Sequence, residues 1–371
     1  MSKSSISTNY QLRMLAFALT ALILWLHFFT NYSKSTEQKI IDEELIKLNR
    51  YETTNSGVGL ANPYDPLTTE QRLEKYYPYE KPVERIPKKI YQMWKHEQSH
   101  PDFPYKDLGE RWKTMNPNYE YLFNTNEVLI DFLKDEFKHT VPEITMALEM
   151  LPTLILKSDF SRYLMVFLTG GMYGDLDTYL RWPVDQWWDS NRNVGFVAGI
   201  EADFNIHDWN NYMQRRLQFE QWFFKSQPHH PILRKLISTI VKTTFQARRE
   251  EKLRPYYKDF ENVDRCEAID IMDWTGPGVF TDVIYAYLNS LKNPTIVDIN
   301  MERSCSDWEM KGPDVPPGVA FSWKTFTCMD YPIFVDDVMI HPQKVFRGWG
   351  GECEICYMNH NFLGAWKNNQ D

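Results

Sequence analysis

The stretch Leu156-Lys157-Ser158-Asp159-Phe160-Ser161-Arg162-Tyr163-Leu164-Met165-Val166-Phe167-Leu168-Thr169-Gly170-Gly171-Met172-Tyr173-Gly174-Asp175-Leu176-Asp177-Thr178 decides how this chain is read. A helical pattern runs from Thr153 to Leu168 after Pro152, and Gly170-Gly171 stops it. "MYGDLDTYL" from Met172 then reads as a short strand. In an extended strand, residues two apart share a face, so Asp175 and Asp177 point the same way. At a strand end that bends into a loop, two such carboxylates can hold one hard divalent cation and leave positions for phosphate oxygens. An Asp-x-Asp pair alone also occurs in solvated turns. The order of helix, glycine stop, strand and acid pair is what singles this one out.

Working outward, Asp159 and Arg162 lie three apart on the preceding helix and so face one side. One role for them is a surface ion pair worth under about 1 kcal/mol. The other follows from position: the helix leads straight into the acid loop, where a carboxylate and a guanidinium can bind sugar and phosphate oxygens. Tyr91, Gln92 and Trp94 end the strand "KKIYQMW", as candidates for a nucleotide face or for the core. Thr275-Gly276-Pro277-Gly278 opens a helix. Its backbone N–H groups either face a phosphate or acceptor or form an ordinary entry turn. Strands and helices alternate from Ile86 onward, including late strands in "TIVDIN" and "DDVMIH". That alternation predicts an α/β domain with a central, mainly parallel twisted sheet, with ligands beyond the carboxyl ends of the strands.

Composition sets the outer limits. The chain has 371 residues, 43% of them hydrophobic, enough for one large domain or two small ones. A net charge of −9 argues against nucleic acid as a partner, because broad phosphate-backbone binding needs cationic surface. Met14 to Phe29 contains no Asp, Glu, Lys or Arg, and Lys3 and Arg13 precede it. This predicts a cytosolic tail over 1–13, a transmembrane signal anchor over 14–32, a luminal stem over 33–85 and a catalytic domain over 86–371. A cleaved signal peptide is the competing reading, but the bulky Phe28-Phe29-Thr30-Asn31-Tyr32 lacks a small-x-small cleavage site. A short apolar span also suits a thin membrane of the early secretory route. All five cysteines (Cys266, Cys305, Cys328, Cys353, Cys356) fall in the last third. Disulfides are expected in an oxidising lumen; zinc at Cys353-x-x-Cys356 lacks two further soft ligands at similar spacing.

The stretch "LKSDFSRYLMVFLTGGMYGDLDT" resembles the signature of the fungal initiation-type α-1,6-mannosyltransferases, Asp-x-Asp glycosyltransferases of glycosyltransferase family 32. "IPKKIYQMWK" from Ile86, "GIEAD" from Gly199, "DWNNYMQRRLQFEQW" from Asp208 and "HPILRKLI" from His230 extend the resemblance. So do "MDWTGPGVFTD" from Met272, "DDVMIHP" from Asp336 and "HNFLGAWK" from His360. It spans roughly Ile86 to Lys367. The resemblance implies the nucleotide-sugar-binding fold of the GT-A type. It also implies GDP-mannose as donor, Mn²⁺ as cofactor, an N-glycan core mannose as acceptor, and a luminal, Golgi-membrane location. Asp175 and Asp177 would hold the metal, with His360 as third ligand; His341 is the rival histidine. Asp159 and Arg162 would touch the donor sugar, and Trp366 would close over the diphosphate or only pack. The family pattern often has Gly-Ser-Trp where this chain has Gly364-Ala365-Trp366, so no hydroxyl is available at the middle position. Relatives acting on a sphingolipid or elongating mannan, and a silent subunit of a mannan polymerase complex, are the alternatives. Both acids and the late histidine are present, which disfavours silence.

Overall fold

The computed structural model describes residues 67–81, 85–188, 193–250, 270–300, 303, 312–348 and 355–363. The predicted tail and anchor, most of the predicted stem, and Trp366 lie outside them. Among the described residues, no helix is long and apolar enough to cross a membrane. The described residues from Thr69 onward form one compact unit.

That unit starts before the predicted boundary at Ile86. Helix α1 (Thr69–Tyr76) packs against helix α6 (Pro231–Arg249). Its Arg72 is buried and meets the equally buried Glu143 of helix α4 (Pro142–Met150) at 2.9 Å, and the Thr69 hydroxyl donates to the same carboxylate at 3.0 Å. Polar composition made this segment read as stem. A buried ion pair and Leu73 bind it to the core instead.

The central sheet runs β2 (Glu120–Thr125), β1 (Lys89–Trp94), β3 (Gly171–Gly174), β7 (Phe223–Ser226), β5 (Phe196–Asp203), β10 (Val338–His341), β9 (Ile333–Val335), β8 (Ile296–Val297). Strand β6 (Leu217–Phe219) pairs with β5 off this path. Pairings β1–β2, β1–β3 and β5–β10 are parallel; β3–β7, β5–β7, β5–β6, β9–β10 and β8–β9 are antiparallel. Followed across the sheet, these pairings leave β1, β2, β3, β5, β8 and β10 running one way and β6, β7 and β9 the other. The sheet is mainly parallel in direction, with one reversed strand, β7, wedged at its centre. The carboxyl ends of β1, β3 and β5 therefore lie along one edge.

Helix α5 (Leu154–Thr169) explains why the deciding stretch is apolar on nearly all sides. It packs on β1, β3 and β7, while α6 and helix α3 (Asn126–Phe137) cover it in turn. Phe160, Tyr163, Leu164, Val166 and Phe167 have no exposed surface. A helix buried this way carries no solvent stripe. Gly170 and Gly171 have φ of 64° and 111°, and a Cβ on Gly170 would sit 2.6 Å from Pro228 Cδ. Only glycine turns α5 into β3 so sharply.

A second, three-stranded sheet joins β4 (Thr178–Leu180) to β12 (Met358–His360) and β11 (Phe346–Gly348). Strand β12 lies antiparallel to β4, with His360 opposite Thr178. Cys328 and Cys356 are both disulfide-bonded, which agrees with disulfides rather than zinc at these cysteines.

Breaking the buried pair of α1 leaves an uncompensated charge in the interior. Glu143→Ala is expected to lower unfolding free energy by about 3–5 kcal/mol in urea melts. A loss below about 1 kcal/mol would mean that the pair adds no net stability.

Candidate active site

Strand β3 ends at Gly174, so Asp175-Leu176-Asp177 forms the turn into β4 rather than part of one continuous strand. The middle residue sets the orientation. Leu176 is buried among Phe103, Tyr105, Trp94, Leu108 and Phe123. With the leucine pinned inward, the flanking acids stay partly open, their side chains 24% and 14% exposed. The backbone is held on both sides. Asp175 N donates to Trp222 O at 2.9 Å, and Asn361 N donates to Asp177 O at 3.0 Å.

Pairing of β12 with β4 delivers His360 to this turn. His360 Nε2 lies 3.0 Å from Asp177 Oδ1 and 3.8 Å from Asp175 Oδ2. The ring is stacked flat on Trp222, centroids 4.7 Å apart and planes 5° apart. Leu363 N donates to the other Asp177 oxygen at 3.1 Å. Burial pushes the Asp177 carboxyl up, but the hydrogen bond and charge of His360 and the Leu363 N–H outweigh it and hold the group below the usual carboxylate range. One donor atom from each of Asp175, Asp177 and His360 falls within 4.8 Å of the others. Two carboxylates and an imidazole, converging and partly open, form a donor set that suits a divalent first-row cation.

Asp159 and Arg162 are not a surface pair. They are 2% and 5% exposed and meet at 2.7 Å. Arg162 also reaches Asp175 at 3.3 Å, donates to Gln221 Oε1 at 2.6 Å and lies over the Tyr173 ring at 4.7 Å. The Tyr173 hydroxyl donates to Asp175 Oδ1 at 2.6 Å. Arg162 thus ties α5 to the acid turn. Burial raises the Asp159 carboxyl to about 6 against the pull of Arg162. The Thr275 hydroxyl donates to Asp159 Oδ2 at 3.0 Å, and Tyr163 donates to Thr275 O at 2.8 Å. Gly276 therefore stands beside this pair, capping helix α8 (Pro277–Ser290). A Cβ there would sit 2.8 Å from Met272 Cα, so close backbone packing accounts for the glycine.

The three β1 candidates part company. Tyr91 is buried on the face away from the acids, its hydroxyl 2.7 Å from Thr169 Oγ1. Gln92 is 1% exposed, and both ends of its amide are used. Its Nε2 donates to Gly174 O and Asp175 O at 3.2 and 3.3 Å, and its Oε1 accepts from Tyr121. Of the two roles the sequence left open, Tyr91 takes the core one, and Gln92 props the acid turn from beneath. Trp94 lies at the strand end, edge-on to Tyr105 at 5.0 Å, with a buried Nε1 that has no hydrogen-bond partner. His341 is fully buried among Trp188, Phe346 and Tyr357, away from the acid pair.

Tyr105, Gln221 and Trp222 were missed by the sequence reading. The Tyr105 hydroxyl is pushed up to about 12 by burial and then by the charges of Asp177 and Asp175, which places it beside the turn. Nothing in their local sequence separates them from the many other aromatic and amide residues. The reversed strand β7, which follows Trp222, is what brings two of them in.

Comparison with known proteins places the chain in a family. Residues 88–194 match the glycosyltransferase sugar-binding region containing the DXD motif. The chain is 33% identical to the initiation-specific α-1,6-mannosyltransferase of Candida albicans, over 82% of this chain and 77% of that one. The protein of the same description from Saccharomyces cerevisiae is 28% identical, over 80% and 81%. That from Schizosaccharomyces pombe is 32% identical, over 69% and 58%. With the acid turn and the helix that feeds it inside residues 88–194, and a relative 33% identical over most of both chains, this chain belongs to the Asp-x-Asp glycosyltransferase family of the initiation-specific α-1,6-mannosyltransferases.

Proposed function

We propose that this protein transfers mannose from GDP-mannose, with Mn²⁺, in α-1,6 linkage onto a core mannose of an N-glycan. The observation that carries the proposal is the convergence of Asp175, Asp177 and His360 beside the buried Asp159–Arg162 pair. Asp175, Asp177 and His360 are the residues that would hold the cation. Bound there, a divalent ion supplies Lewis-acid neutralisation of a diphosphate leaving group.

The chain's own groups account for the rest. Arg162 faces Asp175 from the α5 side, its guanidinium aimed towards the donor oxygens, while buried Asp159 holds it in that direction. Partly buried Trp94, backed edge-on by buried Tyr105, offers an aromatic surface beside the acids for the nucleotide end. GDP-mannose is α-linked, so an α product means retention. Same-face transfer, in which a diphosphate oxygen takes the proton of the acceptor hydroxyl, requires no protein nucleophile.

The anchor belongs to the same proposal. The uncharged run Met14–Phe29 behind Lys3 and Arg13 supports a single-pass Golgi protein with its catalytic unit luminal. A version of the protein beginning at Thr36 is expected to be soluble and active, whereas the full chain sediments with membranes and resists carbonate extraction. A soluble full-length protein would point to a cleaved signal.

GDP release from GDP-mannose, with and without a core oligosaccharide acceptor, tests the reaction directly. Acceptor-dependent release is expected; equal rates with and without acceptor would count against transfer. Asp177→Ala is expected to lower that release by about a hundredfold or more while the protein keeps its circular dichroism spectrum.

The two histidines separate in a metal titration. His360→Ala is expected to move half-activation to about tenfold higher Mn²⁺, because an imidazole is lost from a site of few ligands. His341→Ala is expected to leave that midpoint in place and to cost about 2–4 kcal/mol of stability, as its aromatic nest loses its centre. The reverse pattern would place the metal at β10.

A further inference from the structure

The carboxyl ends of β1, β3 and β5 share one sheet edge, and two of them are already occupied. The β1 end presents Trp94, and the β3 end carries the acid turn. Beyond the reversed strand β7, the β5 end continues into the loop 204–216 and returns as β6. The register of this hairpin is irregular. Ile200 pairs with Phe219 and Ala202 with Gln218, so β5 advances two residues where β6 advances one. Glu201 is the extra residue. A bulge of this kind bends the strand and re-aims the side chain it carries.

The aimed group is a carboxylate held in place. Buried Gln218 donates from Nε2 to Glu201 Oε2 at 2.7 Å, and the same nitrogen lies 3.6 Å from Met213 Sδ. Gln218 Oε1 is buried with no hydrogen-bond partner. Glu201 itself is half-buried; burial raises its carboxyl above the ordinary glutamate range, the Gln218 amide and His360 pull it back, and Asp175 also lies within electrostatic reach. The other acids here each have a cationic or imidazole partner: Asp159 and Asp175 have Arg162, Asp177 has His360, and Asp203 has Arg216. Among the described residues, no lysine or arginine pairs with Glu201. Neighbouring Glu220 is fully buried, and burial, then Glu201, raise its carboxyl well above the usual range.

A carboxyl group aimed by a bulge and fixed by one amide keeps its second oxygen for a neutral hydroxyl, whichever form it takes. The adjoining loop supplies further sugar-binding chemistry. It carries Trp209, Asn210, Asn211 and Tyr212 in succession, and Tyr212 is 62% exposed with its ring 5.9 Å from Phe204. Exposed rings stack on pyranose faces, and amides and carboxylates bind their hydroxyls.

We infer that the β5–β6 hairpin is the acceptor-sugar subsite and that Glu201 is the residue that binds and orients the acceptor's hydroxyl groups. The inference rests on the transferase reading above. It divides the edge by function: nucleotide at β1, diphosphate and donor sugar at the β3 turn, acceptor at β5.

The test is to compare wild type, Glu201→Gln and Tyr212→Ala with GDP-mannose, Mn²⁺ and a core N-glycan oligosaccharide. Glu201→Gln is expected to raise the acceptor KM by about tenfold or more, because a carboxyl oxygen that accepts is replaced by an amide NH2 that cannot. Tyr212→Ala is expected to raise it by about threefold or more. In both, the Kd of GDP-mannose measured by calorimetry is expected to stay within about twofold. Unchanged acceptor KM in both variants, or an equal loss of GDP-mannose affinity, overturns the inference and leaves the transferase function standing. If Glu201→Gln does not fold, exposed Tyr212 decides alone. If the wild type transfers nothing from GDP-mannose, the function itself fails. Calorimetric binding of the same oligosaccharide to wild type and Tyr212→Ala, each with GDP and Mn²⁺, then judges the hairpin: weaker binding to the variant supports it, and equal or absent binding overturns it.

Discussion

The site depends on one pairing, that of β12 with β4. Two carboxylates on a three-residue turn repel each other and have little local structure to hold them. Setting His360 opposite Thr178 supplies an imidazole to Asp177, and the residues just after it donate two backbone N–H groups to the same aspartate. Because side chains alternate along a strand, a slip of one residue would turn His360 to the other face and bring Asn359 in. The register is fixed from the core side. Met358 is fully buried beside Leu180, Trp187 and Phe346, so the hydrophobic cluster selects the alignment that the chemistry needs.

Charge is handled by sharing. Arg162 lies between Asp159 and Asp175 and lets a buried acid and a partly open one use the same cation. Removing the guanidinium would strand Asp159 inside the core, where an unpaired carboxylate is costly. Contacts to Gln221 and the Tyr173 ring fix its remaining reach, so the group presented beside the acid turn is oriented before any ligand arrives.

The deciding stretch was legible because its signals are local. Helix periodicity, a glycine pair at positive φ and an acid pair each show within a few residues, and the structure places them in that order. The same locality misled elsewhere. "MYGDLDTYL" reads as one strand, yet burial of Leu176 breaks it into two strands and a turn. Residues 69–76 read as stem because their composition is polar, although Arg72 finds Glu143 some seventy residues away. Tyr91 and Gln92 sit on adjacent positions of one strand, and only the fold reveals that one faces Thr169 and the other the acid turn. Trp222 and Gln221 gain their meaning from β7, a strand that reverses against its neighbours. No pattern of alternation announces such a reversal.

The closing strand also fixes the order in which the protein becomes competent. Asp175 and Asp177 are synthesised near the middle of the chain, and His360 close to its end. Contacts of such long sequence separation form late, after the local helices and hairpins around them. A nascent or truncated chain that stops short of Met358 has the acid pair without the imidazole, and without the N–H groups of Asn361 and Leu363. The molecule thus carries its own checkpoint: the candidate Asp175–Asp177–His360 set is assembled only when β12 has docked on β4.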